Sequence, residues 1–252
     1  MNLTQLLEEI DPKLKKDDPN YKKLIETVKF LERRERVLFL TTSNRGGWAV
    51  KELKEEPKST LLAKSIQSYL GKSKCSLVEV PDLKIYACEA NVSHMKGNEC
   101  GLKRATLKDK DKNPTGQHRC WRNINNPDDE LWKITKILFE SDSVVFFGSI
   151  RWGQMNAIYQ NLIERLTWLE NRHTTLGESN ILKGTACGVI AVGQNWRGKD
   201  VVDVQKQVLS FFGFDVRDEL SWNWQFTMDT KDETKESYKK SGKNFIDTFE
   251  LG

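Results

Sequence analysis

The chain has no run of about 18 consecutive apolar residues, so no segment is long and apolar enough to be a membrane-spanning helix. Its amino terminus is strongly polar and lacks the apolar core of a secretory signal, and the expectation is a soluble, cytoplasmic protein. Net charge is small: 40 Lys and Arg stand against 36 Asp and Glu, with the signs interspersed, which gives no electrostatic case for nucleic-acid binding. The five cysteines, an odd number in a chain without secretory features, argue for reduced thiols rather than a disulfide framework. Cys75 and Cys187 adjoin apolar runs and read as packing residues. Neither GxGxxG nor GxxxxGKS/T occurs, so a dinucleotide fingerprint and a nucleoside triphosphate P-loop are both missing. There is no internal repeat.

What is present is an alternation of periods. Residues 1–35 read as a helical amino-terminal extension, with Leu3, Leu6, Leu7 and Ile10 on one stripe and Leu24, Val28 and Leu31 on a second. Apolar strand runs follow at 36–43, 76–86 (interrupted by Pro81), 143–147, 185–192 and 219–227. Between them lie amphipathic helices at 59–70, 128–142, 156–171 and 200–212, with a charged closing helix at 229–251. Five strands alternating with helices predict an α/β, doubly wound parallel sheet with helices on both faces.

Ligands of such sheets sit outside the carboxyl ends of the strands, so the loops there carry the functional expectation. After the first strand, Ser43, Asn44 and Arg45 lead through a glycine-containing loop to Ser59, Thr60 and Leu61 at a helix start. Hydroxyls, an arginine and helix amides suit an anion, and Ser59 also reads as a plain helix cap. After the third strand the chain breaks at Gly148 into a polar, aromatic loop, Ser149, Ile150, Arg151, Trp152, Gly153, Gln154, before the helix that begins near Asn156. After the fourth come Gly193, Gln194, Asn195 and Trp196. Of eight Trp residues, Trp48, Trp121, Trp152 and Trp196 fall in loops, where flat indoles suit a planar ligand or pack as partly exposed core.

VLFLTTSNR (37–45) followed by STLLAKSI (59–66), then GSIRWGQMNAIYQNLIERL (148–166), then GVIAVGQNW (188–196) resemble the flavodoxin-like family of NAD(P)H-dependent FMN reductases over residues 36–227. The WG-containing piece is the most specific, while the first turn, Thr42-Ser43-Asn44-Arg45, departs from the family's glycine-serine-proline-arginine form. The resemblance implies strand order 2-1-3-4-5 and bound FMN, with NADPH or NADH as electron donor and a quinone, azo, nitro or similar small acceptor. It implies that Ser43, Asn44, Arg45, Ser59, Thr60 and Leu61 hold the phosphate. Ser149, Ile150, Arg151, Trp152, Gly153 and Met155 would line the ring and ribityl chain, and Gly193, Gln194, Asn195 and Trp196 would close the other side. Arg151 is the candidate for tuning the flavin electrostatically. Relatives form homodimers or homotetramers, which the resemblance extends to this chain.

Residues 87–127 form a long polar stretch with Cys88, Cys100 and Cys120, spaced too widely for the compact ligand runs of an iron-sulfur cluster or zinc site. It reads either as a lid, with His94, His118, Arg119 and Trp121 toward substrate, or as an ordered surface excursion. Lys103, Lys108, Lys110 and Lys112 make it basic. Two rival functions remain open on sequence: an FMN electron-transfer module that docks on a protein partner through this loop, and a flavin-free scaffold for protein interaction.

Overall fold

The computed structural model describes residues 5, 6, 10, 19–44, 56–193 and 197–224. Leu3, Leu7, Arg45, Trp48, Gln194, Asn195, Trp196 and the expected helix at 229–251 lie outside the described residues. In order, the regular elements are α1 (Pro19–Leu31), β1 (Val37–Thr41), α2 (Lys58–Leu70), β2 (Cys75–Glu79), α3 (Trp121–Asn125), α4 (Leu131–Leu138), β3 (Ser143–Arg151), β4 (Gln154–Met155), α5 (Ala157–Thr174), β5 (Ala186–Val192), α6 (Gly198–Phe211), β6 (Asp215–Val216) and β7 (Trp222–Trp224).

The continuous apolar runs of β1, β3 and β5 place them in the centre of a sheet ordered β2-β1-β3-β5-β6, with these neighbours parallel. Alternating side chains then divide the core in two. Leu38, Leu40, Val144, Phe146, Cys187 and Val189 point to one face, covered by α4, α5 and α6. Val37, Phe39, Val145, Phe147, Ala186 and Ile190 point to the other, covered by α1 and α2. Edge-on ring pairs lock each side, Phe146 with Tyr159 at 5.7 Å and Phe39 with Phe147 at 4.9 Å between centroids. Each such buried aromatic contributes about 1.5–3 kcal/mol of transfer free energy.

The expected amino-terminal helix is α1, and it is part of the core: Leu24, Val28 and Leu31 are fully buried with Leu6 and Ile10. Thr27 fixes α1 to the far edge of the sheet, accepting from the Trp222 indole N–H at 3.0 Å and donating to the Glu219 carbonyl.

The strand expected at 76–86 stops at Glu79, because Val80–Asp82 turns into a 3₁₀ segment around Pro81. The helix expected at 128–142 is shortened to α4, since Asp129 is withdrawn into a buried ion pair. The expected fifth strand is split in two. β6 pairs with the start of β5 and β7 with its end, and the register advances by three residues between them. The looped-out chain lays Leu220 against Gly188, where an added Cβ would come within 2.3 Å of the Leu220 carbonyl oxygen. Among the described residues, then, six strands fill five positions in the sheet, and β4, the other addition, pairs antiparallel with the end of β3.

Candidate functional site at the carboxyl ends of the central strands

Because β1, β3 and β5 are adjacent, their following loops meet at one end of the sheet. Beyond β1, Thr42 continues the ladder, its N–H donating to the Phe147 carbonyl at 2.8 Å and its hydroxyl to the same oxygen at 3.1 Å. Ser43 follows, buried, and its hydroxyl oxygen accepts from the Ser59 hydroxyl at 2.6 Å, which leaves the Ser43 proton for a second acceptor. Ser59 is therefore not the helix cap that the sequence suggested. Pro57 holds the cap position, with no side-chain bond to the helix amides. The first-turn amides of Ser59 and Thr60 have no acceptor within the helix by geometry. Leu61 is spent on structure: its N–H donates to the Pro57 carbonyl and its side chain packs on the second core cluster.

The segment after β3 is not the open loop the sequence suggested. The strand runs on to Arg151 and turns back through Trp152 and Gly153 into β4, pairing Ile150 with Met155 and Arg151 with Gln154. Both turn residues have positive φ, 51° at Trp152 and 68° at Gly153, the requirement of a two-residue type I′ hairpin. Glycine adopts this readily, whereas tryptophan there is strained. That strained indole is also 85% exposed. Ile150 and Met155 face inward and are buried with the first core cluster, so the hairpin presents Arg151 and Trp152 on an apolar base. An open groove beside it is lined by Ala87, Arg151, Trp152, Ala157, Gln160 and Glu164.

Gly193 closes the third side. Its N–H donates to the Trp224 carbonyl at 3.0 Å, and a Cβ there would stand 2.9 Å from that of Ile150. The described part of the site thus brings together Ser43, Ser59, Thr60, the 149–155 hairpin and Gly193. Sequence reasoning passed over Thr42, Gly148 and Asn156, which join them. The signal for Asn156 was its place just before an apolar helical period, and it is the cap of α5, accepting from the Tyr159 N–H at 3.1 Å. Paired hydroxyls at one helix start, with an exposed indole and an arginine after the neighbouring strand, suit a ligand that has an anionic group at one end and a flat ring at the other.

The long loop packs along α4 and α5 instead of lying over this site as a lid. His118 is buried, its Nε2–H donating to the Asn123 side-chain oxygen at 2.9 Å and its Nδ1 accepting from Thr135 at 2.6 Å. Burial pushes its pKa down to about 4, outweighing the Asn123 hydrogen bond. Arg119 is paired with Glu178 at 2.6 Å, and the Trp121 indole N–H donates to the Glu99 carbonyl at 3.0 Å. These three are structural, and only His94 remains exposed. Cys120 receives the Arg165 guanidinium at 3.5 Å. The Cys100 thiol is pushed up to about 12 by burial and, secondarily, by Cys120 and Cys88 nearby. Among the described residues no three His, Cys, Asp or Glu side chains are placed to hold a metal ion.

No protein-family model matches the chain, and no curated protein does. Solved structures do match. RosB with the bound intermediate 8-demethyl-8-formylriboflavin-5′-phosphate gives a TM-score of 0.50 at 16% identity, over 77% of this chain and 66% of that one. A flavone reductase gives 0.46 at 11% identity, over 82% of this chain and 59% of that one. The apo form of the NADH:FMN oxidoreductase EMOB gives 0.43 at 14% identity, over 86% and 89%. The chain thus spans about two thirds of RosB's length or less than that of the flavone reductase. With strand order β2-β1-β3-β5 followed by β6 and β7 at the fifth position, and helices on both faces, the chain has the flavodoxin-like fold.

Proposed function

We propose that the chain is an FMN-dependent NAD(P)H oxidoreductase that passes electrons from NADPH or NADH to a quinone, azo, nitro or similar small acceptor. The observation that carries this reading is that the buried Ser43–Ser59 hydroxyl pair and the strained, exposed Trp152 follow adjacent parallel strands, at the same end of the sheet. The 5′-phosphorylated flavin held by RosB, a protein of the same fold, agrees with it.

In this reading Ser43, Asn44, Ser59 and Thr60 hold the phosphate together with Arg45, and helix α2 adds the positive end of its dipole. Trp152, Gly153 and Ser149 border the ring and ribityl chain, with Ile150 and Met155 as the buried floor behind them. Gly193 approaches Ile150 closely enough that only a hydrogen fits, and it bounds the opposite side; Gln194, Asn195 and Trp196, which the resemblance adds there, lie outside the described residues. FMN held there would supply the redox chemistry, hydride uptake from a nicotinamide and electron delivery to an acceptor. The protein's part is to orient and to place charge. Arg151, exposed beside the turn of the hairpin, would be the residue to offer positive charge to a reduced, anionic ring.

A second reading, an electron-transfer module docking on a protein partner, is favoured by the outward apolar side chains of the long loop, Met95, Val92 and Ile124. One experiment separates the two. Protein reconstituted with FMN is titrated anaerobically with NADPH and NADH while its visible absorbance is followed. Rapid bleaching supports the reductase, binding without useful reduction supports the module, and protein that takes up no FMN rules out both.

A further inference from the structure

Residue Asn156 occupies the meeting point of the first two loops. Its side-chain oxygen accepts from the Tyr159 N–H at 3.1 Å, capping α5, while its side-chain NH₂ donates to the Thr42 hydroxyl oxygen at 3.1 Å and lies 3.5 Å from that of Ser149. Its backbone N–H donates to the Ser149 carbonyl at 2.9 Å. Thr42 in turn donates to Phe147, so one amide ties the end of β1, the end of β3 and the start of α5. The tie is buried, with Asn156 8% exposed and Thr42 at 0%. The space around it is filled. A Cβ on Gly148 would stand 2.5 Å from Met155 Cε, 2.8 Å from the Thr42 hydroxyl and 3.2 Å from the Asn156 amide nitrogen.

The two loops so joined carry different halves of the proposed cofactor site. Thr42 immediately precedes Ser43, in the phosphate half, and Asn156 immediately follows the hairpin, in the ring half. We propose that Asn156, through Thr42, is a positioning residue that fixes the spacing between the phosphate cradle and the ring-binding hairpin. This rests on the FMN reading above. A cofactor that spans both halves pays for any looseness between them as lost binding, because two anchoring points help only when held at the ligand's own spacing. The helix cap and the clasp are separable, since the oxygen serves one and the NH₂ the other.

Asn156→Ser tests this. Serine caps a helix well but is too short to reach Thr42. Thr42→Val removes the acceptor and leaves the cap untouched. Both variants are compared with wild type for FMN dissociation constant by flavin fluorescence quenching, for the visible circular dichroism of bound flavin, and for thermal midpoint without flavin. Each single variant is expected to weaken FMN by about tenfold, the scale of one buried hydrogen bond at the strong end of its range. The double variant is expected to be little worse than either single one, as for two ends of one contact. Apoprotein midpoints should stay within a few degrees for Asn156→Ser, and the flavin dichroism should change in both. Unchanged FMN affinity in Asn156→Ser or in Thr42→Val, with wild type binding normally, overturns the positioning role and leaves the cofactor reading standing. Independent, additive losses overturn the clasp. Wild-type protein that takes up no FMN overturns the cofactor reading itself and this role with it. If Asn156→Ser does not fold, Thr42→Val alone decides.

Discussion

The Arg165 guanidinium and the Asp129 carboxylate, neither with any solvent exposure, form a two-point ion pair at 2.6 and 3.1 Å between α5 and the end of the long loop. Around it Arg165 also donates to the Tyr86 carbonyl at 2.7 Å, and the Asn123 amide donates to the Asp129 carbonyl at 2.9 Å. Breaking such a pair from one side strands a buried charge, at a cost of about 3–5 kcal/mol. Asp129→Ala is therefore expected to lose about that much stability in urea unfolding. The paired change of Asp129→Leu with Arg165→Met should recover much of the loss, because the cost lies in the unpaired charge. A double variant as unstable as the single one would count against this account.

Much of the fold was legible because its signals are local. The β1, β3 and β5 runs are continuous apolar stretches, and the helices between them keep a helical period. The long loop was not legible, since its order depends on polar contacts with no sequence period. Arg165 sits within α5 and reads as a solvated helix position, yet it is fully buried by partners 36 and 79 residues away. At the site, Ser43 and Ser59 were readable as a hydroxyl-rich helix start. The hairpin was not, because a type I′ turn is announced by Asn-Gly or Asp-Gly, and here tryptophan takes the first place. Asn156 was placed only at a helix start, and its grip on Thr42 crosses 114 residues and exists only once the strands are paired.

Gly148 offers a direct steric test of the junction. In Gly148→Ala the new methyl would overlap Met155 and the Thr42 hydroxyl, and only Met155 can swing aside easily. The expected cost is about 1–3 kcal/mol of stability, as for other overpacked sites. FMN affinity should fall with it, since the displaced groups carry the hairpin and the first loop. Calorimetry of the apoprotein beside flavin titration checks both, and a variant matching wild type in each would show that the junction has slack.

His118 predicts an acid limb to the stability curve. Its folded pKa lies near 4, pushed down from 6.5 by burial, while the unfolded chain titrates near the ordinary value. Between those values the unfolded state binds the proton and the folded state does not, so stability falls as pH is lowered from about 6.5 toward 4. The full contribution is about 3 kcal/mol at 1.36 kcal/mol per pKa unit. His118→Gln does not titrate and should flatten that part of the curve, whatever it costs at neutral pH. Urea unfolding at half-unit steps from pH 4 to 7 makes the comparison, and equal slopes in the two proteins would assign the acid limb elsewhere.

Trp152 sets stability against function at a single position. A non-glycine residue at φ 51° costs about 1–2 kcal/mol, and asparagine tolerates that conformation best among side-chain-bearing residues. The indole is 85% exposed, so little burial energy offsets the strain. Trp152→Asn, which turns the hairpin into the favoured Asn-Gly form, is expected to raise the apoprotein midpoint by about 2–4 °C, the scale of 1 kcal/mol for a chain of this size. If the indole is held there to face the flavin or its acceptor, the same substitution should lower FMN affinity or acceptor turnover severalfold. A gain in stability with unchanged binding and turnover would show that the strain serves neither. No gain in stability would show instead that the tryptophan's contacts already compensate its backbone.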